Sequence, residues 1–195
     1  LTFSLVASGS LFNVSNAYGS SGYLALLASG AHIFFGVLYV LGPMAQFNPK
    51  LRKNHPGIHR WIGRLTLIAM LAATVFGLLM NFAPGNTQFE LGMRTIAMFL
   101  IFWVPLCAYK AFTAARIRNF KLHQIWVIRL AAVAVGNGAL RFGILGFIIT
   151  NGSDDGINDF VDQTIWFFIA GHCLLAELYI QHRFFGGLAI TPKSA

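Results

Sequence analysis

Five runs of apolar residues, each near the ~20 residues that a helix needs to cross the hydrocarbon of a bilayer, constrain this chain more than any other feature. They fall at about Gly22 to Phe47, Trp61 to Phe82, Arg94 to Ala114, Ile125 to Thr150 and Thr164 to Arg183. Lipid offers no hydrogen bonds to a peptide backbone, so each run must satisfy its own N–H and C=O groups as a helix. Only 10% of the residues are charged and 56% are hydrophobic, against about 25% charged in a soluble domain. The expected fold class is all-α: a polytopic transmembrane helical bundle of five membrane-spanning helices over residues 21–185. An extramembrane or interfacial segment, residues 1–20, precedes it, and a tail, 186–195, follows.

The charges give the runs an orientation. The net charge is +8, which in a soluble chain would point to nucleic acid. Here the basic residues crowd into two short loops, Asn48 to Arg60 and Ala115 to His123, with Arg64 and Lys110 at their flanks. The other two loops hold Glu90, Asp154, Asp155, Asp159 and Asp162, with Arg94 beside them. By the positive-inside rule the basic loops face the cytoplasm, or the matrix of an organelle. The amino terminus is then outside and the carboxyl terminus, with Arg183 and Lys193, inside. The expected location is a bacterial cytoplasmic membrane or an organellar inner membrane, and the expected partners are lipid and other membrane subunits, not nucleic acid. The chain starts at Leu1 and its first basic residue is Lys50. A secretory signal needs a positive start, so a removed leader or a longer gene product is expected. Asn13-Val-Ser15 and Asn151-Gly-Ser153 are sequons on the outer side, patterns too short to carry weight.

The residues able to carry chemistry sit at definable depths. At ~1.5 Å per residue, His32 lies roughly 20 Å and His172 roughly 17 Å from the inner ends of their runs. His59 and His123 share the inner rim. Two histidine pairs at two depths are candidate axial ligands for haem b, because facing helices in an apolar bundle present neutral imidazoles to iron. The alternative for each is a histidine hydrogen-bonded across a helix interface, and a lipid headgroup or loop carbonyl would equally serve the rim pair. Arg129 and Glu177 both lie roughly 9 Å deep. Intramembrane charges usually pair, so these two are expected to form an interhelical ion pair, with Arg64 near it. Arg141, one turn after Asn137 on the same face, is expected to take an acid from the 154–162 loop; an anionic ligand or a lipid phosphate are the other choices. Arg64 and Arg141 are thus the candidate anion or lipid contacts.

Cys107 and Cys173 lie within apolar runs and form no CxxC, so they are expected to be free buried thiols. Pro105 should kink the third run, and Gly136 and Gly138 allow close helix approach in the fourth. The chain has no GxSxG, HExxH, Walker loop or GxGxxG. No catalytic residue and no metal beyond haem iron is assigned.

Three stretches resemble a family of uncharacterised bacterial membrane proteins, the domain-of-unknown-function family 2306. They are His32-Ile-Phe-Phe-Gly with Leu41-Gly-Pro-Met-Ala-Gln-Phe47, the basic loop His55-Pro-Gly-Ile-His-Arg-Trp-Ile-Gly-Arg64, and His123-Gln-Ile-Trp-Val-Ile-Arg129 with Arg141. Glu177 after Leu174-Leu-Ala is similar to the family's last helix. Gln124 stands where the pattern has arginine, and His172 where it has no histidine. The resemblance implies a fold and a residue set, and no activity. In architecture alone, the paired histidines are similar to those of ascorbate-reducible membrane cytochromes b.

The leading expectation is a non-catalytic accessory subunit of a larger respiratory or photosynthetic membrane complex. The scant extramembrane mass and the nineteen phenylalanines favour it. The alternatives are a haem b cytochrome moving electrons, and a small transporter or sensor using the buried arginines and histidines.

Overall fold

The computed structural model describes residues 22–82, 91–153 and 155–186. The expected segments 1–20 and 187–195, Glu90 and Asp154 lie outside them. Six helices follow in order: α1 Gly22–Gln46, α2 Pro49–Asn54, α3 Pro56–Asn81, α4 Leu91–Arg116, α5 Phe120–Asn151 and α6 Ile157–Phe185. No strand occurs among the described residues. All except the one-and-a-half-turn α2 are long and apolar enough to span a bilayer, so the chain is an integral membrane protein with five apolar helices.

The helices outrun the apolar runs that announce them. Asp159 and Asp162 fall inside α6 rather than in a loop, and His59 and Arg60 fall inside α3. Polar residues beyond the hydrocarbon continue a helix wherever a cap is available. Asn48 accepts from the backbone N–H groups of Lys50 and Leu51 at 2.9 and 3.3 Å and starts α2. Pro56 occupies the first position of α3, where its missing N–H costs nothing. Asn119 accepts from Leu122 N–H at 3.1 Å and starts α5. The N-terminal turn of α4 borrows its cap from another helix: the Asp162 carboxylate accepts from Met93 N–H at 2.9 Å.

Helices α1, α3, α4 and α5 form a ring in which α1 touches α3 and α5, and α4 touches α3 and α5; α6 lies in the notch between α4 and α5. Tyr39, Met70, Val104, Cys107, Leu130 and Val133 are the shared core of the ring. Ile96, Leu140, Ile165 and Ile169 join α6 to α4 and α5. Two close approaches set the geometry. A Cβ on Gly42 would collide with Thr66, so α1 and α3 meet almost backbone to side-chain root. A Cβ on Gly136 would stand 2.7 Å from the Phe168 carbonyl oxygen, so α5 and α6 meet backbone to backbone. Gly138 faces no atom within 4 Å, so only the first of that glycine pair serves helix contact.

Antiparallel packing of neighbours collects like charges. The C-terminal ends of α1, α4 and α6 and the N-terminal ends of α3 and α5 share one end, with α2 across it. Lys50, Arg52, Lys53, Arg60, Arg64, Arg116, Arg118, Lys121 and Arg183 lie there, and Asp155, Asp159 and Asp162 lie at the other.

Candidate functional site

Three levels of polar side chains cross the bundle. Between the bundle's middle and its basic end, Arg129 of α5 meets Glu177 of α6. The Arg129 Nε–H donates to Glu177 Oε1 at 2.5 Å and Nη2–H donates to Oε2 at 2.9 Å. The two side chains retain 20% and 38% exposure, so the pair sits on the flank of the bundle rather than at its axis. Trp126, one turn before Arg129, lies under the guanidinium with 4.4 Å to the ring centroid; a flat cation over an indole face is favourable and needs no further acid. Fully buried Cys107 and half-buried Cys173 stand within electrostatic reach of the pair. Tyr39 of α1 completes the level: its hydroxyl donates to the Leu130 carbonyl at 2.5 Å and ties α1 to α5. Arg64 lies exposed on α3 and takes no part in the pair.

Towards the acidic end, His32 donates from Nδ1 to the Ala73 carbonyl at 2.8 Å and packs over Gly77. His172 donates from Nδ1 to the Phe168 carbonyl of its own helix at 2.6 Å. His32 therefore belongs to the α1–α3 interface, while His172 lies on α6, which shares no extensive face with α1. The structure does not bring these two together. Equal depth left the helix faces undetermined, and the ring places α1 and α6 on different sides.

Arg141 has no hydrogen-bond or ion-pair partner among the described residues. Of the expected acids, Asp155, Asp159 and Asp162 form no ion pair with Arg141, and Asp162 caps α4; Asp154 lies outside the described residues. His32, across the α1–α5 interface, lies within electrostatic reach of Arg141.

At the basic end all four ring helices contribute. The Gln46 amide of α1 donates to the His59 carbonyl of α3 at 2.9 Å. His123 of α5 donates from Nδ1 to the Ala111 carbonyl of α4 at 2.9 Å. His59 and His123 lie within electrostatic reach of one another, and the buried Nδ1 of His59 has no partner. Here the structure does bring a histidine pair together. No cluster of three or more metal-ligating side chains occurs among the described residues.

Sequence reading passed over Tyr39, Trp126 and Asp162. A tyrosine within a lipid-facing run is itself a signal, because a buried hydroxyl needs an acceptor. Nothing in the sequence announced Asp162 as the cap of a helix some seventy residues earlier.

A family model described as "Predicted membrane protein (DUF2306)" matches residues 30–180. No curated protein matches the chain. No solved structure matches it either.

Proposed function

The chain belongs to the DUF2306 family of membrane proteins, and on that premise we propose that it is a non-catalytic accessory subunit of a larger membrane complex. One observation supports the reading: Arg129, Glu177, Tyr39, His32 and His123 are spent on bonds between helices. Arg129 and Glu177 satisfy each other in both hydrogen bonds. Tyr39, His32 and His123 each bond a backbone carbonyl of a neighbouring helix. These bonds cross helix interfaces and hold the bundle closed, which is the structural use of intramembrane polar groups. Two surface grooves, about 440 and 360 Å³, are lined by apolar residues with Thr66 as the one hydroxyl. Native membranes solubilised in mild detergent and run on a native gel test this. The chain should migrate in a band several times its own 21.4 kDa together with other subunits. A sharp band of the isolated chain alone would count against it.

A second reading, a haem b cytochrome, rests on His59 and His123. A ring nitrogen held by a carbonyl fixes the tautomer and turns the other nitrogen outward, as metal-ligating histidines do. His123 has that arrangement, and the unpartnered Nδ1 of His59 marks a polar atom still in want of a neighbour. A reduced-minus-oxidised absorption spectrum of the purified protein decides: a haem b band supports this reading, and a featureless spectrum with a negative haem assay removes it.

A further inference from the structure

We propose that the bundle carries a built site for one anionic phospholipid, its acyl chain in the groove between α1 and α5 and its phosphate on Arg141.

The groove comes first. Val40, Pro43 and Met44 of α1 face Ala134, Gly138 and Phe142 of α5 around a cavity of about 440 Å³. It exists because α1 leans on α3 and reaches α5 over a short contact only, and because α5 presents small side chains there. From Ala131 to Phe142 the lining on α5 spans about 16 Å at 1.5 Å per residue. That is close to half of a ~30 Å hydrocarbon core, the depth reached by the chains of one leaflet.

The charge comes second. Arg141 follows Gly138 by three residues and Ala134 by seven, so it stands at the edge of their face of α5, beside Phe142 at the end of the groove. It is a cation without an anion among the described residues. An unpaired guanidinium in a membrane helix is costly. The residue keeps an exposed surface, while its guanidinium lies within electrostatic reach of His32 of α1. Helix α5 has 32 residues, or about 48 Å, roughly 18 Å more than the hydrocarbon. Shared between both ends, that excess leaves Arg141, ten residues before Asn151, roughly 6 Å below the headgroups. A long arginine side chain covers such a distance by snorkelling, and phosphate oxygens suit its planar fork of donors.

Size and charge decide between occupants. A helix segment 16 Å long and ~10 Å across fills roughly 1,250 Å³, about three times the groove, whereas a single chain lies within it. The one acid that a second copy carries within an apolar run, Glu177, is engaged by its own Arg129, and its Asp155 and Asp159 stand at the helix ends. The groove between α1 and α3, about 360 Å³, has no charged residue in its lining and serves as an internal control.

Native mass spectrometry of the purified chain in nonionic detergent tests the site, with dioleoylphosphatidylglycerol and dioleoylphosphatidylcholine added in equal amounts. The wild type should retain one phosphatidylglycerol with at least a tenfold preference. Arg141→Gln should abolish the preference and Arg141→Lys should keep most of it. Gly138→Leu should block retention by filling the groove, whereas Ala45→Leu in the control groove should not. Dihexanoylphosphatidylglycerol, which has the headgroup without the long chain, should not be retained. Equal retention by wild type and Arg141→Gln overturns the proposal. So does retention that falls with Lys50→Gln and Lys53→Gln at the basic end instead, or retention unaffected by Gly138→Leu. Should Arg141→Gln fail to fold, Gly138→Leu and the short-chain lipid decide the question.

Discussion

Arg129 and Glu177 meet across the α5–α6 interface in a two-pronged ion pair, Nε to Oε1 at 2.5 Å and Nη2 to Oε2 at 2.9 Å. The guanidinium face is covered by Trp126. The pair closes α6 onto the ring, and that use of charge governs the account of the whole bundle.

Removing the Tyr39 hydroxyl tests the second link in the same layer. Tyr39→Phe deletes the α1–α5 hydrogen bond to Leu130 while keeping the ring in the core. Interhelical hydrogen bonds in membranes average about 0.6 kcal/mol, so the midpoint of thermal unfolding should fall by a few degrees without loss of yield.

The two glycines of α5 should answer differently to alanine. At Gly136 the new methyl would stand 2.7 Å from the Phe168 carbonyl and 3.2 Å from the Ile169 Cα, backbone atoms that cannot swing aside. Overpacking of that kind costs about 1–3 kcal/mol. At Gly138 nothing lies within 4 Å, and alanine should be neutral or slightly stabilising by helix propensity. Thermal melts of Gly136→Ala and Gly138→Ala measure the contrast.

Asp162→Asn should weaken the start of α4. The carboxylate that accepts from Met93 N–H becomes a neutral amide, still able to accept but without charge against the positive helix end. Asp162→Ala removes the acceptor altogether and should cost about 1 kcal/mol. Faster hydrogen exchange at residues 92–95, with the rest of the bundle unchanged, is the expected readout.

The two ends of the bundle should label from opposite sides of the membrane. A reporter inserted after Arg118 and one inserted after Ser153 sit at the two ends of α5. By the positive-inside rule the first is expected in the cytoplasm or matrix. Protease or label access to both reporters from the same side would contradict a five-crossing chain.

Apolar run length was enough to read the number of crossings, because lipid leaves a backbone one choice of structure. Depth along the chain was enough to put Arg129 and Glu177 at one level, since rise per residue is constant. Facing is a different quantity. His32 and His172 share a depth but sit on helices that do not pack together, and that depends on the order of helices around the ring. Arg141 was expected beside an acid of the 154–162 stretch; one of these, Asp162, caps α4 instead, a role that no local pattern announces. Helix ends were misplaced near His59 and Asp159 because caps such as Asn48 and Asn119 act outside the apolar pattern. Family membership was legible from the His32, His55 to Arg64 and His123 to Arg141 stretches, all within the matched residues 30–180.

The central claim is that the intramembrane polar groups hold the bundle together rather than act on a substrate. A mutant cycle on Arg129 and Glu177 tests it most directly, read by thermal unfolding and by migration on native gels. Glu177→Gln should leave Arg129 half-satisfied and cost on the order of 2 kcal/mol, below the ~3–5 kcal/mol of a fully buried broken pair. Replacing both residues with methionine should restore stability to within about 1 kcal/mol and leave the chain in its native-gel complex. A double variant as stable as the wild type but lost from that complex, or a Glu177→Gln protein that melts unchanged, would contradict the account.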